Sequence, residues 1–209
     1  MKILHLDSST MGAHSVSRLL SSEIVAALTL DAPDAEIVYR DLAAEPAMRL
    51  SAAHLAAFQG ADVEDAALGA DLAIGGAWLD EMLAADVIVI GAPMYNYSIP
   101  SQLKAWIDRV VVAGKTFRYT ENGYVALVPA GKRVIIASAR GNFYTPGHPA
   151  AAMDIHEPYL TSVLAHIGLA DIQVIRAEGV NVSEEARTAA LAAARRDIAG
   201  LAANLREAA

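Results

Sequence analysis

The run Asp86-Val87-Ile88-Val89-Ile90-Gly91 constrains the fold more than any other segment of the chain. Four consecutive β-branched residues leave no polar face, so the strand they form must be covered on both sides. Strands of that kind belong to parallel sheets, whose return connections are helices packed on a sheet face. The flanking sequence agrees. Trp78 to Leu83 completes a helix before the run, and Pro100 is placed at the first turn of another helix after it. Leu103, Trp106, Ile107, Val110 and Val111 mark the inner face of that second helix, and Gly114 is its stop signal.

The same alternation continues in both directions. Met1 to Asp7 sets Ile3, His5 and Asp7 against Leu4 and Leu6, a short first strand. Val16, Leu19, Leu20, Ile24, Ala27 and Leu28 recur at helical steps, with Ser15 or His14 at the N-cap and Pro33-Asp34 closing the segment. Ala35 to Tyr39, Arg133 to Ser138 and Ile172 to Ala177 are expected strands. Residues 41 to 70 are expected to form a loop with one or two short alanine-rich helices. Asn122-Gly123 marks a turn and the tip of a hairpin within Lys115 to Val128. A helix is expected over Ala150 to Ile167, opened or kinked by Pro158, and a terminal one through Leu191, Ala194, Ile198, Leu201 and Leu205. Five strands alternating with helices predict an α/β, doubly wound parallel sheet with helices on both faces. The flavodoxin-like strand order 2-1-3-4-5 suits five strands, in a single domain over residues 1–209.

Composition removes several function classes. Acidic residues number 24 against 16 basic, and no basic stripe appears that could neutralise a nucleic-acid backbone. With 55% hydrophobic and 19% charged residues, disorder is excluded. No apolar run approaches the ~20 residues of a membrane-spanning helix. Lys2 and Asp7 interrupt the N-terminus too early for a secretory signal, so a cytoplasmic location is expected. The absence of cysteine excludes disulfides, thiol nucleophiles and Cys-ligated metals, so any redox chemistry requires a bound cofactor.

In such sheets ligands bind beyond the carboxyl ends of the strands, where the strand order reverses. For this order the point lies between the first and third strands, whose loops are Ser8 to Ser17 and Ala92 to Ser98. Ser9, Ser15 and Ser17 offer hydroxyls beside a helix start, whose free N–H groups and dipole suit a phosphate. Arg18 is the one basic residue close by; the simpler alternative is that Ser15 only caps the helix. Met94, Tyr95, Asn96 and Tyr97 offer a surface for a flat aromatic system, and Ser138, Ala139, Arg140, Gly141 and Asn142 form a third loop. Three such loops fit a heteroaromatic ring with a phosphate tail, of which FMN is an example. The simpler reading of an aromatic pair beside proline is loop packing. His5 and Asp7 share a strand face, but two groups seldom make a metal site. Glycine fingerprints for dinucleotides and nucleotide triphosphates are absent, and no nucleophile elbow surrounds Ser8 or Ser9.

Ser8-Ser9, Ser15-x-Ser17, the run Ala92-Pro93-Met94-Tyr95-Asn96-Tyr97, Gln102-Leu103-Lys104 and Thr116-Phe117-Arg118-Tyr119-Thr120-Glu121-Asn122-Gly123 together resemble the FMN-dependent NADH azoreductase family. The resemblance extends to Ala177-Glu178-Gly179. It implies a flavodoxin-like homodimer with one FMN per subunit, active sites at the subunit interface, and ping-pong reduction of quinones and azo compounds by NADH or NADPH. It also implies Ser9, Ser15, Val16 and Ser17 on the phosphate and ribityl side, Met94 to Tyr97 along the flavin, and Ser138 to Asn142 at its pyrimidine edge. Tyr119 and Tyr97 are implied in the substrate pocket. Val16 stands where the family often has Gln, Tyr97 replaces a frequent Phe, and Ser138 to Asn142 departs from Ser-Arg-Gly-Gly. A flavodoxin-type electron carrier is the alternative, and a carrier-protein phosphodiesterase a weaker one.

Overall fold

The computed structural model describes residues 1–30 and 32–207, with the side chains of residues 202–207 left aside. Its central sheet has the order β2-β1-β3-β6-β7, from β1 (Lys2–Asp7), β2 (Glu36–Asp41), β3 (Val87–Pro93), β6 (Arg133–Ala139) and β7 (Asp171–Ala177). All four pairings are parallel. Counting only sheet strands, this is the expected 2-1-3-4-5. β4 (Phe117–Thr120) and β5 (Gly123–Ala126) form a separate antiparallel hairpin.

The β-branched run behaves as its composition requires: every residue of β3 is buried. Alternate strand residues enter two different apolar clusters. Leu4, Leu6, Ile88, Ile90, Val134 and Ile136 meet Trp78, Leu79 and Met82 of α3 (Ala66–Ala84), Leu103, Trp106, Ile107 and Val110 of α4 (Ser101–Val110), and Leu160 and Leu164 of α5 (His156–His166). Ile3, Val87, Val89, Ile135 and Ala137 meet Leu20, Ile24 and Leu28 of α1 (Val16–Leu30) and Ala194, Ile198 and Leu201 of α6 (Glu184–Glu207). Each fully buried Leu or Ile stabilises the fold by roughly 1.5–3 kcal/mol relative to exposure. Leu205, expected on the inner face of α6, lies outside the described side chains.

Several boundaries differ from expectation. Pro100 is the N-cap of α4, with extended φ and ψ of −60° and 148°, so the helix begins one residue later than expected. It also ends at Val110, well before Gly114, because the Thr116 hydroxyl donates to Val110 O (2.9 Å) and accepts from Val112 N–H (2.9 Å), turning the chain into the hairpin. The expected helix from Ala150 is a single 3-10 turn, Ala151–Met153, followed by α5, where Pro158 occupies the third position and opens the helix without a kink. Within 41–70, Ser51 caps the short α2 (Ala52–Phe58), and α3 starts under an Asp65 cap. A buried cluster ties this excursion to the core: His54 Nε2 lies 3.0 Å from Asp71 Oδ2, and Arg109 donates to the same oxygen at 2.6 Å.

Candidate functional site

Parallel pairing brings the carboxyl ends of β1, β3 and β6 to one edge of the sheet, so the three expected loops are neighbours. The first leaves β1 at Ser8, whose hydroxyl donates to Gly91 O at 2.7 Å. Glycine is required at 91, because a Cβ there would overlap Asp7 Oδ1 and stand 3.3 Å from Ser17 O. The chain then passes a 3-10 turn at Gly12–His14 into α1. Ser15 does cap this helix, its Oγ accepting the Arg18 N–H at 3.2 Å, and that Oγ also lies 3.1 Å from Ser17 Oγ. The backbone N–H groups of Val16 and Ser17 take no backbone or side-chain acceptor among the described residues. Capping and anion binding are thus compatible: the cap uses one donor and leaves two.

Arg18 does not serve the loop as a free cation. It donates to Ser9 O at 2.7 and 3.1 Å and makes a bidentate pair with Asp41 at 2.6 and 2.7 Å. His5 and Asp7 form no metal cluster; no group of three His, Asp or Glu suited to a metal occurs among the described residues. His5 Nε2 lies 3.0 Å from Ser21 Oγ, and Asp7 accepts from Ser21 and Tyr39 at 2.8 and 3.1 Å.

The loop after β3 is a tight turn. Tyr95 and Ser98 exchange backbone hydrogen bonds at 2.9 and 3.1 Å, and the central residues Asn96 and Tyr97 have φ of 48° and 70°. Positive φ at both positions is what a primed turn requires; Asn tolerates it, while Tyr is strained by roughly 1–2 kcal/mol. The backbone N–H of Met94 donates to Ala139 O (2.8 Å) and that of Tyr95 to Ser98 O, so those of Asn96 and Tyr97 are left without an acceptor among the described residues. Tyr95 Oη lies 3.1 Å from Ser9 Oγ and accepts the Thr10 N–H at 3.2 Å, which locks the first loop to the second. Burial works to raise the Tyr95 phenol, but the bonds from Ser9 and Thr10 outweigh it and lower its pKa.

A cleft of about 230 Å³ opens between these loops. Ser9, Ser15, Val16 and Ser17 line one side, and Met94, Tyr95, Ala139 and Gly141 the other. Tyr95 also borders a wider depression of about 640 Å³ reaching Asn96, Gln102, Lys104 and Tyr159. Free N–H groups and hydroxyls at one end, with Met and Tyr side chains beyond, fit a phosphorylated planar group such as FMN.

Not every expected residue reaches the cleft. Arg140 is 2% exposed and turns inward, bonded to Asp154 (3.0 Å), Glu157 (2.5 Å) and Glu178 (2.7 Å), and Ser138 beside it is fully buried. Asn142 caps its own turn, accepting Phe143 N–H at 2.8 Å. Asn96 faces the wider depression, and Tyr97 lies edge-on to Tyr144. Tyr119 is 77% exposed on the hairpin, which joins the chain where α4 and α5 end, at the opposite end of the sheet. Tyr97 and Tyr119 of one chain therefore share no pocket. Conversely, Val180, Asn181 and Arg187, which no sequence motif marks, line the cleft, as does His14, expected there only as a cap. The Gly179-Val180-Asn181 segment follows β7, so the strand-end rule applied to the fifth strand would have found it.

A family model described as flavodoxin-like fold matches residues 1–201. A protein of Rhizobium meliloti (strain 1021), named FMN-dependent NADH:quinone oxidoreductase, is 55% identical over 199 residues, 95% of this chain and 96% of its own. FMN-dependent NADH:quinone oxidoreductase 2 of Pseudomonas aeruginosa is 54% identical over 201 residues, covering 96% of this chain and 98% of its own. Among solved structures, the azoreductase AzrA superposes with a TM-score of 0.87 at 27% identity, covering 98% of this chain and 100% of that one.

Proposed function

The chain belongs to the flavodoxin-like fold family, and from that premise we propose that it is an FMN-dependent NADH:quinone oxidoreductase that also reduces azo compounds. One observation carries the reading: the free N–H groups and hydroxyls of the Ser15–Ser17 helix start share a cleft with Met94 and Tyr95. FMN, when bound, supplies the two-electron chemistry between NADH and the acceptor. The protein supplies position and electrostatics. Ser9, Ser15, Val16 and Ser17 hold the phosphate and ribityl end; Met94 and Tyr95 form the wall against the ring. The Asn96 and Tyr97 N–H groups, fixed by the primed turn, would be the donors this loop has left to offer a bound flavin. Ala139 and Gly141 border the pyrimidine end by their backbone, and Ser138, Arg140 and Asn142 act from behind by fixing that loop.

The same reading takes residues 1–209 as one domain, the two apolar clusters as helix layers on both faces of the sheet, and the cytoplasm as its location. No described helix is long and apolar enough to cross a membrane. It also takes the working form as a homodimer, in which Tyr119 on the exposed hairpin serves the partner subunit's site.

Initial rates of NADH oxidation over a matrix of NADH and quinone concentrations, with FMN added, test the assignment. Parallel double-reciprocal lines are expected for alternating occupancy of one face. FMN binding with no NADH turnover would favour the one-electron carrier instead.

A further inference from the structure

We infer that Arg187, on the first turns of α6, is the cation that makes the cleft selective for a phosphorylated flavin over the unphosphorylated one; this rests on the FMN reading above. A flavin phosphate brings between one and two negative charges, whereas a helix N-terminus offers only about half a positive charge. Beside His14, the serine loop and the start of α1 contain one basic residue, and it is spent: Arg18 is held in the bidentate pair with Asp41 and by Ser9 O. The cradle formed by Ser15, Val16 and Ser17 is thus left without a permanent cation of its own.

Arg187 fills that gap from about 170 residues away in sequence. It lines the same cleft as Ser15, Val16 and Ser17, is half-buried, and takes part in no ion pair within 4.0 Å among the described residues. The contrast with other arginines is informative. Arg18, Arg40, Arg109, Arg133, Arg140, Arg176 and Arg195 each hold a carboxylate, and Arg49, Arg118 and Arg196, which form no ion pair among the described residues, are exposed to solvent and line no part of this cleft. On a chain with 24 acidic residues, an arginine in a cleft wall without an acidic partner points to an anion from outside. A guanidinium also matches phosphate oxygens two at a time, which a lysine does not.

Flavin fluorescence tests the inference without any turnover. The purified full chain, freed of flavin, is titrated separately with FMN and riboflavin, as wild type, Arg187→Ala and Arg187→Lys, at low and high NaCl. Arg187→Ala is expected to weaken FMN binding about tenfold to thirtyfold, the value of one charge-assisted contact in a half-exposed site, and to leave riboflavin binding unchanged. Arg187→Lys is expected to recover part of the loss, and FMN binding by Arg187→Ala should depend less on salt than that of the wild type. Equal weakening toward both flavins would overturn the inference, since Arg187 would then shape the cleft without reading the phosphate. No change toward either flavin would also overturn it. A wild-type chain that binds neither flavin would remove the FMN reading itself, an outcome distinct from both.

Discussion

Replacing Arg140 by Gln removes the cation from a cluster that holds three loops behind the cleft. The guanidinium reaches Glu178 Oε1 at 2.7 Å, Asp154 Oδ2 at 3.0 Å and Glu157 Oε1 at 2.5 Å. Glu157 keeps a second partner in Arg176, so the variant strands Asp154 and Glu178, whose side chains are 15% and 9% exposed. Removing one partner of a buried pair costs about 3–5 kcal/mol. Partial access of water to Asp154 places the expected loss near the lower limit, about 3 kcal/mol. The loss must also depend on pH. Burial pushes the Glu157 carboxyl up, but hydrogen bonds from Arg176 and Ser138, with the charge of Arg140, hold it below the ordinary range. A carboxyl depressed in the folded state stabilises above its unfolded pKa, about 4.3, and that contribution disappears as pH falls through the folded value. The gap between wild type and Arg140→Gln is therefore widest at neutral pH and narrows below about pH 4. Urea unfolding followed through the buried Trp78 and Trp106 reads it at pH 7 and at about pH 3.5. A gap under about 1 kcal/mol at pH 7, or one equal at both pH values, would refute the reasoning.

His156 is fully buried, and burial, assisted by the charge of Arg140, pushes its imidazole down to about 4. The unfolded chain binds that proton below about pH 6.5, so stability falls between 6.5 and 4 by up to about 3 kcal/mol; His156→Leu should flatten this part of a midpoint-against-pH curve, and parallel curves would contradict it. Gly91→Ala places a methyl against Asp7 and Ser17, with an expected cost of about 1–3 kcal/mol in thermal unfolding and weaker FMN retention; a variant unchanged in both would show that the close approach is not needed. Asn96→Ala removes the carboxamide and leaves a β-carbon at positive φ without the local hydrogen bonding by which Asn tolerates it, whereas Asn96→Gly removes the whole side chain and relieves the backbone. Both are expected to weaken FMN binding, the Ala variant more; undiminished binding by Asn96→Gly would limit Asn96 to a conformational role.

What was legible in the sequence followed from short-range patterns. The β-branched run of β3, the helical steps of α1 and the Asn-Gly signal of the hairpin each carry their own physical reason, although the two-residue tip is Glu121-Asn122, with Gly123 pairing opposite Thr120 at φ of 116°. The start of α3 was hidden because its inner face carries Gly75 against Arg109 and Asp71 in an ion pair in place of an apolar stripe. Topology alone places the loops at the switch point, and Ser9, Ser15, Ser17 and Tyr95 line one cleft there, while Tyr97 packs on Tyr144. The roles of the arginines were not legible. Arg140 reads in the sequence as a ligand-facing residue because the carboxylates that hold it are distant: Asp154 just before α5, Glu157 on it and Glu178 beyond β7. Arg187 carries no local signal, because nothing in the sequence distinguishes an arginine without an acidic partner from the others on an amphipathic helix.

The central claim, two-electron transfer through FMN held in this cleft, is tested most directly by the visible spectrum of the FMN-loaded chain under anaerobic conditions. The account predicts flavin bands that bleach on addition of NADH and return on addition of a quinone. Flavin bands that NADH leaves unchanged would contradict it.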